Sequence, residues 1–513
     1  MNSHPAQLAA EINRLRHDSE AAWNRFDYER SLDLLQRAQR LVPQEPRLWL
    51  DLGRLHGLRY DYSRATECFE QAIRVANGQS AALVAAGWHC QNFSQPALAR
   101  NYFERALKTN PDAVEVLAPL AAIYERLGQL DLAGELAARA AGLAPQFKPA
   151  RLVQATVLRR QNQLAAAEKI LRTVAGQPDR DLWAGAQIWY ELGHNLDRQE
   201  RYDEAMSAFQ NAKQPLITAT GNRYLRQQAE QQAWRAAADN FTAEAGPPLR
   251  ADAAGPAPNA SSFLVGHPRS GTTLLEQILD AHPATISLEE THIFYSEVYG
   301  PLTGGQPANG QLDWLTTAPP GRLEKLRRNY FAAAGRFLGR PVSNRLLVDK
   351  NPLLTIWLPI IARVFPAAPI MVALRDPRDV CLSCFQLALA PGTANLAYLE
   401  IGRTVEAYTA VMAGWRALRG KLTSPWREVR YEDVVADLPG VARQTLEFLG
   451  LPWNDRVLRF NEHARQKTVR SPSYAQVGQP VYASAQGRWR HYQKYLEPHL
   501  AKLEPLVKAF GYA

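Results

Sequence analysis

The sequence predicts a two-part architecture, an α-helical solenoid followed by an α/β domain built on a parallel sheet. Three observations carry that prediction. A pattern of small and large residues recurs every 34 residues up to about residue 219. A stretch rich in proline, alanine and glycine, EAGPPLRADAAGPAPNASS, then interrupts it. Directly afterwards an apolar strand runs into a glycine-bounded loop and an apolar-periodic helix, a geometry that aims backbone N–H groups at a phosphate.

Composition excludes several other classes. Hydrophobic residues make up 46% of the 513, which is too many for a mainly disordered chain. Apolar runs long enough to cross a membrane are missing, as is a basic segment followed by an apolar run near the N-terminus. Four cysteines are too few for a disulfide scaffold. A cytoplasmic protein without membrane attachment is expected. Lys and Arg number 59 against 50 Asp and Glu, and the net charge of +9 suits a polyanionic ligand. No recognisable nucleic-acid module accompanies that charge, so no nucleic-acid partner is expected.

The repeats come first in the chain. Ala65, Phe69 and Ala72 return as Ala99, Phe103 and Ala106, then as Ala133, Ala137 and Ala140, then as Ala167, Leu171 and Val174. Trp49, Leu52 and Gly53 match Leu83, Ala86 and Gly87, and after a four-residue insertion Trp189, Leu192 and Gly193. Ser31, Leu35 and Ala38 make a weaker first copy. Small residues allow two helices to approach closely, and the large ones fill the space between units. His56, Cys68 and Cys90 fall at or beside buried repeat positions and read as structural. The pattern resembles the tetratricopeptide repeat, which implies six units over about 12–219 and a surface for a peptide or partner subunit. A polar-faced helix over 220–243 is expected to cap the array. The domains are then the solenoid with its cap at 12–243, a linker at 244–260 and the α/β domain at 261–513.

The loop after the linker is Gly266-His267-Pro268-Arg269-Ser270-Gly271-Thr272-Thr273. Its spacing matches a nucleoside-triphosphate P-loop, but Thr272 stands where the usual Lys would be and Arg269 lies inside the loop. That change argues against magnesium-dependent triphosphate hydrolysis, and no metal is expected. A second apolar strand, 369–374, ends in Arg375-Asp376-Pro377-Arg378-Asp379, and the helix after it carries Ser383. A strand-end Arg and a hydroxyl about two turns on suit a second phosphate. Cys381 and Cys384 flank Ser383 and read as packing, because no second pair completes a zinc site.

PRSGTT after a strand, followed by this second motif, resembles the sulfotransferases that use 3′-phosphoadenosine 5′-phosphosulfate. The resemblance implies a P-loop-like sulfotransferase domain over about 262–495. Arg269, Ser270, Gly271, Thr272 and Thr273 would grip the 5′-phosphosulfate, and Arg375 and Ser383 the 3′-phosphate. The protein-tyrosine branch of the family is the nearest in pattern. Its catalytic base is the second Glu of a pair 21 residues beyond the loop Arg, which implies Glu290 here. A carboxylate beside a phenol takes its proton as the oxygen attacks. The bland alternative is an acidic pair that opens a helix at Glu289.

Other implied positions follow the same pattern. Lys350 ends the strand 346–349 and would stabilise charge on the sulfonyl and leaving oxygens. Ser473 matches a family Ser that supports the same leaving group. Arg488 matches a family Lys that reaches the nucleotide, and Tyr431 a tyrosine facing it, though a core tyrosine is nearly as good a reading. Two positions depart from the family: Asn351 replaces an acidic residue, and Leu387 an Arg, which leaves the 3′-phosphate contacts incomplete or supplied differently, with Arg378 as the candidate.

The implied activity is sulfonate transfer from 3′-phosphoadenosine 5′-phosphosulfate, the co-substrate, to a hydroxyl, with a peptide or protein tyrosine as the expected acceptor. A carbohydrate, lipid or small phenol as acceptor, and a repeat scaffold with a degenerate nucleotide site, are the alternatives. Oligomeric state is open, with a homodimer among the options.

Overall fold

The computed structural model of the chain describes residues 3–177, 181–229, 232, 261–304, 318–342, 344–392, 395–465, 467, 471, 477–481 and 483–512. The linker expected at 244–260, the end of the capping helix and Ser473 lie outside the described residues; 223–229 are helical. The chain divides into two compact units. One comprises Met1–Ala144, His292–Pro307 and Glu324–Pro341, and the other Pro145–Thr291, Ala308–Leu323 and Val342–Ala513.

The first unit holds helices α1 (Ser3–Asn24), α2 (Tyr28–Leu41), α3 (Pro46–Leu58), α4 (Tyr62–Val75), α5 (Ser80–Asn92), α6 (Pro96–Thr109), α7 (Val114–Arg126) and α8 (Leu130–Leu143). The second contributes α9 (Lys148–Arg160), α10 (Leu164–Ala175), α11 (Leu182–Arg198) and α12 (Tyr202–Thr220). Consecutive helices pair as hairpins, so the periodicity gives the expected six repeats, with α1 beginning upstream of residue 12.

Close packing inside each hairpin explains the small-and-large pattern. A Cβ on Gly53 would lie 2.4 Å from the Phe69 ring, one on Gly87 2.5 Å from Phe103, and one on Gly193 2.6 Å from Phe209. Where the aromatic gives way to Ala137, the partner position is Ala121, and both are wholly buried. Gly87→Ala is therefore expected to overpack this crossing and cost about 1–3 kcal/mol, read as a lower denaturant midpoint.

The turn inside each hairpin repeats as faithfully as the core. Phe26, Tyr60, Ser94, Gly128, Asn162 and Glu200 all have left-handed backbones, with φ between 55° and 77°. Each places the next N–H on the carbonyl five residues back, as with Asp61 to His56 and Arg201 to Leu196. This is the terminal bond that closes a helix at a left-handed residue. One of the six is glycine, so the spacing rather than the residue type imposes the conformation.

Within the first unit, two of these turns carry a segment from the distant 292–300 stretch. The Tyr60 hydroxyl accepts from the His292 N–H at 3.0 Å, and Arg59 pairs with buried Glu297. The Phe26 ring meets Tyr295 at 5.6 Å and packs so tightly on Gly300 that a Cβ there would overlap it.

In the second unit, strands β1 (Ser261–Gly266), β2 (Thr285–Glu289), β3 (Leu346–Lys350), β4 (Ile370–Leu374) and β5 (Trp426–Arg430) form a parallel sheet in the order β2-β3-β1-β4-β5. β1 to β4 are buried along their whole length, which explains why β1, β3 and β4 read as continuous apolar runs. Glu289 ends a strand, not a helix. The polar start of β2 hides it from a periodicity reading, and pairing with β3 in register Leu288 to Asp349 makes it a strand. Helix α13 (Thr272–Asp280) packs its Leu275, Ile278 and Leu279 against the sheet. Helix α14 (Pro377–Phe385) follows β4.

Candidate active site

All five parallel strands end on the same edge, where a parallel sheet exposes backbone and loops to a ligand. β1 ends at Gly266, whose φ is 139° and where a Cβ would lie 2.5 Å from the Ala373 carbonyl oxygen, which leaves no room for a side chain. Thr355 holds this corner, its hydroxyl accepting from the Gly266 N–H at 2.8 Å and lying 2.5 Å from the Gly266 carbonyl. The loop closes at Gly271, with φ of 90°, which caps α13; a Cβ there would strike the Tyr431 ring at 2.9 Å. Ser270, Thr272 and Thr273 are buried around it. The Thr273 hydroxyl donates to the Ser471 hydroxyl at 2.9 Å, two residues before Ser473, which lies outside the described residues.

Two implied catalytic residues share an uncommon backbone. Arg269 has φ of 71° and Glu290 φ of 46°. A non-glycine residue in this region costs about 1–2 kcal/mol, and such strain gathers at functional sites. Each follows from its surroundings: Arg269 lies in a loop pinned at both glycines, and the Glu290 N–H continues the β2–β3 ladder by donating to the Lys350 carbonyl at 2.9 Å.

Glu290 and Lys350 then meet directly, Nζ to Oε1 at 2.6 Å. Lys350 is wholly buried, and its ammonium also lies 3.2 Å from the equally buried Glu276. Burial works against the charge on Lys350, but Glu276 and Glu290 outweigh it and hold the ammonium above its ordinary range. Burial likewise pushes the Glu276 carboxyl up, to about 8, against the pull of Lys350. Sequence reasoning missed Glu276. It reads as one polar position in an amphipathic helix, yet it faces inward from α13; a carboxylate one turn into a helix whose other face is buried is the only available signal.

The residues implied for the second phosphate stand beside the loop. Arg269 Nε donates to the Ser383 hydroxyl at 2.9 Å, so these two are in contact. Arg375 bonds the Arg269 carbonyl at 3.3 Å and the Ala485 carbonyl, and its guanidinium lies 5.1 Å from the Tyr431 ring centre. Its Nε is buried and unpartnered, a donor left over that an anionic oxygen would satisfy. Arg378 turns away: Asp376 takes its fork at 2.7 and 2.9 Å, and the Tyr512 carbonyl accepts at 2.8 Å. Cys381 and Cys384 are buried, and burial raises both thiols, which suits packing.

The last repeat reaches the same region. Arg488 is gripped by Asp197 of α11 at 2.6 and 2.7 Å, and the Tyr492 hydroxyl donates to the same carboxylate at 2.6 Å. His194, one turn earlier on α11, is half-buried; burial and then Arg159, with Arg269 adding to them, hold its imidazole down at about 4. Asp379 of α14 accepts the N–H groups of Gly487 and Trp489 at 2.7 and 2.9 Å, fixing the segment that carries Arg488. Asp197 and His194 were invisible as site neighbours because the sequence places them in a repeat.

The sequence model of the sulfotransferase family matches residues 262–455, and that of the tetratricopeptide repeat matches 84–146 and 152–216. An uncharacterized protein of Aquifex aeolicus is 26% identical over 422 residues, 79% of this chain and 52% of that protein, so the chain spans about half of that relative's length. Protein-tyrosine sulfotransferase 1 of Danio rerio is 26% identical over 280 residues, 49% of this chain and 71% of that protein. Among solved structures, the sulfotransferase domain of the Synechococcus olefin synthase is 24% identical and covers 45% of this chain and 88% of its own, with a TM-score of 0.34. Among the described residues no helix is long and apolar enough to cross a membrane. The chain thus carries tetratricopeptide repeats followed by a sulfotransferase-family domain.

Proposed function

We propose that the chain transfers a sulfonate group from 3′-phosphoadenosine 5′-phosphosulfate to the phenolic oxygen of a peptide or protein tyrosine. The observation that supports this reading is the meeting of Glu290 and Lys350, 2.6 Å apart at neighbouring strand ends, beside a glycine-bounded loop that carries Arg269. The donor supplies an electrophilic sulfur and a phosphate leaving group. The loop N–H groups and the α13 N-terminus hold its phosphosulfate end; Arg375, with its spare Nε, and Ser383 hold the 3′-phosphate.

Glu290 takes the phenolic proton as the oxygen bonds to sulfur, and the S–O bond to the 5′-phosphate breaks, releasing 3′,5′-bisphosphoadenosine. Lys350, Arg269 and Ser473 offset the charge that gathers on the sulfonyl and leaving oxygens. Tyr431 packs against the loop, and Arg488, held by Asp197 through its Nη2, is the further cation for the nucleotide. An acceptor held by the repeats engages surface other than the turns at Phe26 and Tyr60, which the 292–300 segment occupies.

Calorimetry with 3′,5′-bisphosphoadenosine and a sulfate-transfer assay read by mass spectrometry test this. Binding is expected, together with sulfated tyrosine in a peptide panel. No binding overturns the donor assignment, and turnover of sugars, lipids or small phenols without tyrosine peptides overturns the acceptor.

A further inference from the structure

A second cationic hollow lies far from the phosphate loop. It is a cavity of about 500 Å³ lined by the end of α13, the start of β2, Arg345 just before β3, and the 3₁₀ turn Asp455–Arg459. These are the amino-terminal ends of the strands, the edge opposite the one that bears Glu290 and Lys350. Arg456 and Arg459 are three residues apart on that turn, so their side chains project on one side.

The charges in the wall do not cancel. Arg345, Arg456 and Arg459 are exposed and, among the described residues, have no carboxylate partner, whereas Arg16, Arg105, Arg159 and Arg201 are all paired. Asp280 is already neutralised: its Oδ2 accepts from Lys467 at 2.7 Å and faces His463 Nε2 at 2.9 Å, while its Oδ1 accepts the Ser287 N–H. His282 has both ring nitrogens engaged, its Nδ1 with the Ala284 N–H and its Nε2 with the Pro452 carbonyl. Glu462 is the remaining acid against three guanidinium groups. Three like charges around one concave wall repel each other, and an anion with several oxygens reverses that cost through forked N–H contacts.

We propose that this cavity binds a small polyanion, a phosphate- or sulfate-bearing metabolite, at a site separate from the phosphate loop. The proposal does not depend on the transfer reaction. Calorimetry of the full chain with pyrophosphate tests it. Arg456→Ala/Arg459→Ala is expected to weaken pyrophosphate about tenfold or more, and Arg269→Ala to leave this binding in place. A parallel titration with sodium sulfate tells the two sources apart: tighter pyrophosphate marks a phosphate ligand, and comparable affinities a sulfated one. An unchanged melting curve and unchanged 3′,5′-bisphosphoadenosine affinity of the double variant separate loss of the site from unfolding and from failure of the transferase reading; Arg345→Ala provides a second, independent change. Pyrophosphate bound equally well by the double variant and by Arg345→Ala, or lost entirely in Arg269→Ala, overturns the proposal.

Discussion

Glu290→Gln is expected to lower sulfonate transfer by about 10²–10⁴-fold, the usual span for losing a general base. The amide keeps the size and the bond to Lys350 but takes no proton. The fold should survive, because Lys350 retains Glu276 at 3.2 Å and the Glu290 backbone remains in the β2–β3 ladder. Affinity for 3′,5′-bisphosphoadenosine, measured by calorimetry, should be unchanged, since the proposed role of Glu290 is on the acceptor and not on the nucleotide. Full turnover by a folded Glu290→Gln chain would remove the base assignment.

Lys350→Met is expected to cost about 10²–10³-fold in turnover, comparable to removing one preorganised donor from a developing anion. It also strands Glu276, whose carboxyl is wholly buried and, among the described residues, has no other cation as near. Glu276 then shifts further toward its neutral form. A double variant, Lys350→Met with Glu276→Gln, should recover stability without activity, which separates the catalytic loss from the structural one.

Glu276 also sets a pH dependence. Its ordinary value near 4.5 is raised to about 8 in the folded chain, chiefly by burial. Between those values the folded chain holds a proton that the unfolded chain has lost. Stability from this group is therefore present in full below about 4.5 and declines as pH rises through about 8. Denaturant midpoints taken across that range should fall with pH in the parent and fall less steeply in Glu276→Gln.

Much of this was legible before any coordinates. The repeat count follows from residues that must be small, Gly53, Gly87 and Gly193, facing residues that must be large, Phe69, Phe103 and Phe209. Such pairs are local in sequence, so their spacing is preserved in the text of the chain. Arg269 was nameable because a strand end, a glycine loop and a helix start lie next to one another in sequence, whereas Glu290 and Lys350 were named through the resemblance to sulfotransferases. β2 was not, since its edge position and polar start erase the apolar signature that marks β1, β3 and β4.

What only the tertiary structure decided involves residues brought together from far apart. Glu276 becomes part of the Lys350 cluster because α13 lays one polar side chain under the sheet. Asp197 meets Arg488 across 291 positions, and the turns at Phe26 and Tyr60 receive the segment that begins two residues after Glu290. The left-handed backbones of Arg269 and Glu290 likewise depend on neighbours that over-determine them. The sequence by itself determined the repeat array and the phosphate loop, both of which rest on short-range spacing, and the family resemblance supplied the candidates at the strand ends. Which charges face one another had to wait for the fold, because electrostatic pairing depends on distance in space and leaves no period in the sequence.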